Sequence, residues 1–293
     1  MDFLRPATWA DALDAKARRP DATPVAGGTD VMTEINMDLR RPTALLDLTR
    51  IDELAEWSEA GGRLRIGAGM PYSRIIRELG TRLPGLAMAS RTVGSPQIRN
   101  RGTLGGNLGT ASPAGDALPP LVASGADVEV ASVRGSRMVP AGAFFTGVKR
   151  NALAEDELIA AVHVPPAAGP QQFAKVGSRN AMVIAVCSFA LSLDLGHRTV
   201  GACVGSAAPT PRRAAEAERF LAAELADSGR WQDPAPLPEP VLRTFGDLVA
   251  SAAAPIDDVR STAAYRRHAL AVLARRTLGW AWNEHCGGRR TCA

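Results

Sequence analysis

The chain has 293 residues, enough for one large domain or two medium ones with ample core. Its composition, 46% hydrophobic and 22% charged, is that of an ordinary globular protein, far from the disordered or collagen-like range. The net charge of +4 comes from 34 basic and 30 acidic side chains spread along the chain, with no Lys/Arg block of the kind that marks a nucleic-acid arm. The longest apolar stretch, 182–193, is broken by Ser188 and Ser192 and is too short for a transmembrane segment. Residues 1–6 carry no apolar leader core, so a cytoplasmic location is expected. The four cysteines, Cys187, Cys203, Cys286 and Cys292, form no C-x-x-C pair, and their spacing offers no metal or iron–sulfur site. Only Lys16, Lys149 and Lys175 are lysines; the rest of the basic side chains are arginine.

The pattern predicts a strand over 23–26 that ends in Gly27-Gly28, followed by a short helix over 30–37 that Thr29 or Asp30 can cap. Residues 45–48 and 63–66 read as strands. Pro71 suits the first turn of a helix with Ile75, Ile76 and Leu79 on one face. Residues 94–113 read as one long Gly, Ser, Asn and Thr loop, and loops of this length in compact domains are usually functional. Strands follow at 127–133 and 158–164. A Pro/Ala/Gly break at 165–170 has linker composition. Beyond it, 172–176, 183–195 and 199–204 read as a small antiparallel sheet. Helices are then expected at 211–223, 240–253 and 261–278, with a proline-rich loop over 228–238. No internal repeat is visible. The reading is α+β, with a first domain of residues 1–166, a second of 171–282 and a flexible tail of 283–293.

Two stretches can carry chemistry. Val25-Ala26-Gly27-Gly28-Thr29-Asp30 runs from a strand through two glycines into a helix. Such a turn exposes consecutive backbone N–H groups that a diphosphate can approach, and it also serves simply as a tight turn. It matches neither the dinucleotide fingerprint nor the P-loop spacing. The second stretch, 94–116, holds Thr103, Gly105, Gly106, Asn107, Thr110 and a single carboxylate, Asp116. Gly105-Gly106-Asn107 can adopt positive φ and form an anion nest. Asp116 can accept from the hydroxyls of a ribose or ribityl chain, or cap the helix that follows. No catalytic residue and no metal ligand set stands out.

Together these residues carry a resemblance. Ala26-Gly27-Gly28-Thr29-Asp30, Thr103-Leu104-Gly105-Gly106-Asn107 and Ala111-Ser112-Pro113-x-x-Asp116 resemble the FAD-binding medium subunit of the molybdenum hydroxylases, the family of xanthine dehydrogenase and carbon monoxide dehydrogenase. Glu157-Leu158-Ile159 leading to Val164-Pro165, the run Phe173 to Arg179 and the run Arg260 to Arg267 agree in order along the chain. The resemblance implies a two-part FAD-binding domain of the PCMH type, followed by a smaller C-terminal domain with an antiparallel sheet and helices. It implies noncovalent FAD, with the diphosphate wrapped by Val25, Ala26, Gly27, Gly28, Thr29 and Asp30. Thr103, Gly106, Asn107, Thr110 and Asp116 match positions near the diphosphate, ribityl chain or flavin. Val93 matches a position beside the isoalloxazine that is aromatic in some relatives, and Ile159 and Lys175 match flavin-side contacts. Lys175 is alternatively a lysine on a surface strand.

The resemblance further implies that molybdopterin and [2Fe–2S] clusters sit on partners, a large and a small subunit, in a dimer of heterotrimers. Electrons would pass from the clusters through the flavin to NAD, oxygen or a quinone. The run 1–6 and the run 26–32 look closer to xanthine dehydrogenase-type members. A stand-alone FAD reductase of the same broad fold would need a substrate-facing acid and donor, and no convincing pair presents itself. An assembly protein without flavin would not need the glycine loops or Asp116.

Overall fold

The computed structural model describes residues 1–287. Three parallel strands open the chain, in the spatial order Asp2–Leu4, Ala44–Asp47, Thr23–Val25. Pro24 is tolerated because its strand lies at the sheet edge, where a missing N–H breaks no ladder. Helix Trp9–Arg18 crosses between the first two strands in sequence, capped by Thr8, whose hydroxyl accepts from the Asp11 amide. Ala12 of this helix, Ala22, Leu46, Leu54 and Leu158 form a small core beneath it.

A five-stranded antiparallel sheet follows, in the order Trp57–Ala60, Arg63–Gly67, Leu158–Val164, Asp127–Ser132, Gly135–Pro140. Its period of two is plain in the burial. Leu64, Ile66, Val128, Val130, Val162 and Val164 enter the main core, while Arg63, Arg65, Asp127, Glu129 and His163 stay at the other face. There Arg65 grips Glu129 from Nε at 2.8 Å, and His163 Nε2 lies 2.7 Å from the same carboxylate. Helices Tyr72–Glu78, Pro84–Thr92 and Leu118–Ala123 supply the opposing apolar surface through Ile75, Leu86 and Leu121.

The stretch expected to be one long loop contains two helices, Pro96–Arg101 and Leu104–Thr110. Ser95 caps the first by accepting from the Ile98 amide, and Thr103 caps the second through the Gly106 amide. Leu104 and Leu108, four residues apart, are fully buried. Tertiary packing of that pair outweighs the low helix propensity of three glycines.

The C-terminal lobe is an antiparallel sheet in the order Gln171–Val176, Cys187–Asp194, Thr199–Gly205, Arg212–Arg213. Helices Ala215–Asp227, Glu239–Ala252 and Ala263–His285 bury Leu221, Phe245 and Trp282 against its Phe189 face. The opposite face, with Phe173, Ala190 and Cys203, joins the main core of the first lobe. Three boundaries differ from expectation. The second strand begins at Cys187 rather than 183, because residues 177–186 loop away from the sheet. Arg212 and Arg213 pair as a short edge strand, so the next helix starts at Ala215. The last helix runs through His285, which makes three residues of the expected tail helical, and the tail from 288 onward lies outside the described residues. Cys187 and Cys203 are buried in the sheet, and burial pushes the Cys187 thiol up to about 12. Among the described residues no helix is long and apolar enough to cross a membrane.

One side chain ties the C-terminal lobe together. Arg266, 3% exposed, donates from Nη1 to the Val186 and Ser206 carbonyls at 3.0 and 2.8 Å and from Nη2 to Asp258. Truncating one member of such a buried charged network costs about 3–5 kcal/mol. Arg266→Ala is therefore expected to lower the thermal midpoint by roughly 6–12 °C or more, with Arg266→Lys in between. Calorimetry of the two variants checks this, and an unchanged midpoint for the alanine variant would refute it.

Candidate functional site

A cleft of about 840 Å³ opens beyond the carboxyl end of strand Thr23–Val25, between the parallel sheet and the helices of the antiparallel lobe. Its volume suits a small organic ligand. Val25, Ala26, Gly27, Gly28, Thr29 and Asp30 form one wall. Thr103, Gly106, Asn107 and Thr110 form the facing wall, and Val93 and Ile159 also contribute to the lining.

The first wall is shaped by its glycines. Gly28 has φ +75°, which a side chain resists. At Gly27 a Cβ would stand 1.9 Å from the Arg101 carbonyl oxygen, so only glycine lets this loop lie against the end of helix Pro96–Arg101. Helix Val31–Asn36 follows at once. Neither expected cap forms there: the Asp30 side chain makes no cap bond, and Thr29 contributes only its carbonyl, to the Thr33 hydroxyl. Asp30 instead reaches across the cleft and accepts from Thr110 Oγ1 at 2.9 Å. The amides of Ala26, Gly27, Gly28, Thr29 and Asp30 donate to no acceptor among the described residues. Five consecutive free N–H groups facing a cleft make a binding concavity for an anion.

The facing wall works differently from expectation. Gly105, Gly106 and Asn107 lie within helix Leu104–Thr110, and none has positive φ. The first amides of that helix are all satisfied within the protein. Leu104 donates to the Met70 carbonyl at 3.1 Å, Gly105 to Ala68 at 2.8 Å, Gly106 to Thr103 Oγ1 at 3.0 Å and Asn107 to the Thr103 carbonyl at 3.1 Å. The anion nest expected here does not form, because these residues are helical and Gly105 serves close packing on Ala68 instead. What this wall offers is side chains, above all Asn107, whose Oδ1 is buried without a partner among the described residues.

Asp116 and Lys175 lie outside the lining of the cleft and meet each other. Lys175 Nζ is 2.6 Å from Asp116 Oδ2 and also donates to the carbonyls of Thr92 at 3.0 Å and Val183 at 3.2 Å. The Thr92 hydroxyl donates to the same Asp116 oxygen at 3.1 Å. The two side chains are 8% and 10% exposed, so Lys175 is no surface lysine. Nor is Asp116 a helix cap, since Ala117 holds that place in helix Leu118–Ala123 with no side-chain bond. Burial pushes the Asp116 carboxyl up and the Lys175 charge opposes it. Its second oxygen, Oδ1, is buried and unpartnered.

Among the lining residues not singled out from the sequence, four stand out by their contacts or burial. Lys16 is 6% exposed and donates to the Pro20 and Ala22 carbonyls at 2.7 and 2.9 Å. Lys149 sits at the tip of hairpin Phe145–Gly147 and Arg150–Asn151, 2.6 Å from Glu34. Asn151 Nδ2 donates to the Gly109 carbonyl at 3.0 Å. Tyr72 lies at the cleft floor, 2% exposed. A usable signal existed for the lysines. In a chain that uses arginine almost everywhere, a lysine marks a place where a compact ammonium fits and a planar fork does not.

Residues 1–167 match the family described as the FAD binding domain in molybdopterin dehydrogenase, and residues 172–281 match the CO dehydrogenase flavoprotein C-terminal domain. The chain is 32% identical over 286 residues to the putative xanthine dehydrogenase FAD-binding subunit of Escherichia coli, with 94% of each covered. It is 31% identical over 283 residues to the nicotine 6-hydroxylase medium subunit of Paenarthrobacter nicotinovorans, across 94% of this chain and 95% of that one. Among solved structures, reconstituted CO dehydrogenase from Oligotropha carboxidovorans superposes with a TM-score of 0.87 at 28% identity, over 96% of this chain and 97% of that one.

The buried pair generates a test that needs no ligand. Asp116→Ala leaves the Lys175 ammonium buried without a counter-charge, at an expected cost of about 3–5 kcal/mol. Combining it with Lys175→Met is expected to recover more than about 1 kcal/mol of the summed losses. Urea denaturation of both single variants and the double variant measures the coupling, and purely additive losses would show that the pair does not act as a unit.

Proposed function

The chain belongs to the FAD-binding medium subunits of the molybdenum hydroxylases, and from that premise we propose that it serves as the electron-transfer subunit of a heteromeric oxidoreductase. It would take electrons from [2Fe–2S] clusters on a small subunit, fed by substrate oxidation at a molybdopterin site on a large subunit. It would deliver them to NAD, oxygen or a quinone. A dimer of such heterotrimers in the cytoplasm is the assembly we infer. The observation that carries this reading is the run of five free amides from Ala26 to Asp30 at the mouth of a dinucleotide-sized cleft.

FAD, when bound, supplies the reversible electron chemistry, and this chain supplies binding, orientation and electrostatics. The amides of Ala26 to Asp30 hold the diphosphate. Thr103, Asn107 and Thr110 offer hydroxyl and amide groups to the sugar and ribityl oxygens, and Val93 and Ile159 give apolar surface that keeps water from the flavin ring. Lys175 fixes the Thr92 carbonyl and thereby the position of Val93, next in the chain. Asp116, outside the lining, would act through the same pair: it accepts from the Thr92 hydroxyl and balances the Lys175 charge. No catalytic residue and no metal ligand is assigned to this chain, and attachment of the flavin is noncovalent. The division into residues 1–166 and 171–282 places all of these groups except Lys175 in the first part.

For the holoenzyme we favour the xanthine dehydrogenase type, which the 32% identity to the Escherichia coli subunit supports. A carbon monoxide dehydrogenase, or a hydroxylase of another N-heterocycle or of an aldehyde, is the second reading, supported by the CO dehydrogenase fold match. Substrate oxidation assays on the complex co-expressed with its partner subunits separate the two.

The visible spectrum of the purified chain, with chromatography of the acid-released chromophore, tests the cofactor. One FAD per chain, released by acid, is expected. A folded chain and a folded complex that both stay colourless with added FAD would refute the assignment. Gly28→Val is expected to lose FAD retention by at least tenfold, because a β-branched residue at φ +75° costs of order 1–3 kcal/mol and distorts the free-amide run. Full flavin occupancy in that variant would remove the first loop from the site.

A further inference from the structure

Tyr72 is the side chain of the cleft that the sequence pattern did not single out and that the fold leaves with an unmet need. It opens helix Tyr72–Glu78 just after Pro71. Its backbone amide donates to the Gly102 carbonyl at 3.1 Å, and Pro71 bridges to Thr103. The ring lies beside Gly102: a Cβ there would be 3.5 Å from Tyr72 Cδ2 and 3.6 Å from Thr29 Oγ1. The side chain therefore stands where the first loop and the facing helix approach each other. It is 2% exposed and lines the cleft, and its hydroxyl is buried with no hydrogen-bond partner among the described residues.

A buried phenol O–H without an acceptor costs about 1–3 kcal/mol relative to one that is paired. Phenylalanine would fill the same space without that cost. The residue is a tyrosine inside an apolar core that includes Met70, Ile75 and Leu104. Neither carboxylate neighbour accepts from it: Asp30 accepts from Thr110, and Asp116 binds Lys175 and Thr92 through Oδ2. Burial, with Asp116 and Asp30 adding to it, pushes the phenol well above its ordinary value, so it stays a proton donor across the working pH range. A donor that keeps its proton, lies between the first loop and the facing helix and has no acceptor among the described residues is matched to an oxygen of a ligand.

Resting on the FAD assignment above, we propose that the Tyr72 hydroxyl donates a hydrogen bond to a diphosphate oxygen of the bound FAD, completing the set of backbone donors from Ala26 to Asp30. The phenol then adds a side-chain donor to the backbone donors of the first wall. The same reasoning explains why the hydroxyl is retained at a cost to the ligand-free protein.

Tyr72→Phe in the full chain tests this with two ligand readouts and one stability readout. FAD affinity, measured by titrating the deflavinated protein, is expected to fall about tenfold, and a phosphorus-31 resonance of the bound diphosphate is expected to shift. The thermal midpoint of the ligand-free variant is expected to stay level or rise, since an unsatisfied buried hydroxyl has been removed. Wild-type affinity together with an unchanged phosphorus-31 spectrum in Tyr72→Phe would overturn the proposal while leaving the FAD assignment intact. A ligand-free midpoint that falls by several degrees would also overturn it, by showing that the hydroxyl has a partner within the protein. A wild-type chain that binds no FAD, alone or in complex, would refute the assignment itself and this inference with it.

Discussion

The site depends on one close approach. Gly27 lies so near the Arg101 carbonyl that no side chain fits between them. This contact brings the loop after the edge strand of the parallel sheet against the end of helix Pro96–Arg101. The next links follow in sequence from the same place: the Tyr72 amide takes the Gly102 carbonyl, Pro71 bridges Thr103, and Thr103 caps helix Leu104–Thr110. The backbone of the second wall is consumed in holding this junction together. The backbone of the first wall touches the junction only at Gly27, so its amides are left free to face the cleft. The division of labour between a wall of N–H donors and a wall of side chains is thus a consequence of packing at a single glycine.

The C-terminal lobe braces this arrangement from behind. Lys175 crosses from strand Gln171–Val176 to Asp116 and the Thr92 carbonyl. The Ser206 amide donates to the Pro113 carbonyl at 2.8 Å, its hydroxyl donates to Ala185 at 2.6 Å, and Arg266 holds the Ser206 carbonyl. The segment 112–116 is therefore held directly by Lys175 and Ser206, and Arg266 in turn holds Ser206. Without that lobe Asp116 would be a buried carboxylate with only the Thr92 hydroxyl to offset its desolvation, which favours losing its charge. The second lobe contributes no residue to the described lining of the cleft, yet it supplies the counter-charge and fixes the position of a buried carboxylate of the first lobe.

Most of the architecture was legible because strands with one buried face advertise themselves by alternation, as Arg63–Gly67 and Asp127–Ser132 do. The first glycine loop was legible only together with the second stretch, since two glycines after a strand serve equally as a tight turn. The two short helices in 94–113 were not, since three glycines in Leu104–Thr110 mask a helix that exists only through burial of Leu104 and Leu108. The Asp116–Lys175 pair was half legible. Both residues were singled out, but from sequence each had a bland alternative, cap or surface lysine, and only a contact across 59 positions removes both at once. Tyr72 gave no sequence signal at all. A tyrosine on the apolar face of a helix reads as core, and its significance lies in the missing acceptor, which is a property of the fold alone.

The electrostatics of the cleft argue for dipoles over charges as the source of its preference for an anion. The cations that line it are Lys16, Arg40 and Lys149, and the acids are Asp30, Glu34, Glu155 and Glu157. Charges of both signs are present in similar number, and many are already paired. Lys149 and Arg40 face Glu34 at 2.6 and 3.7 Å, and Glu157 is gripped by Arg137. Lys16 spends two of its protons on backbone carbonyls. No free block of positive charge is left to draw in an anion from a distance. What remains is the field of five unpaired amide groups at short range, which mobile ions screen far less than exposed charge pairs. A site built in this way gains little from long-range steering and much from fit. It selects a ligand whose charge can be brought within hydrogen-bond distance of the backbone, which is the condition that Gly27 and Gly28 are there to meet.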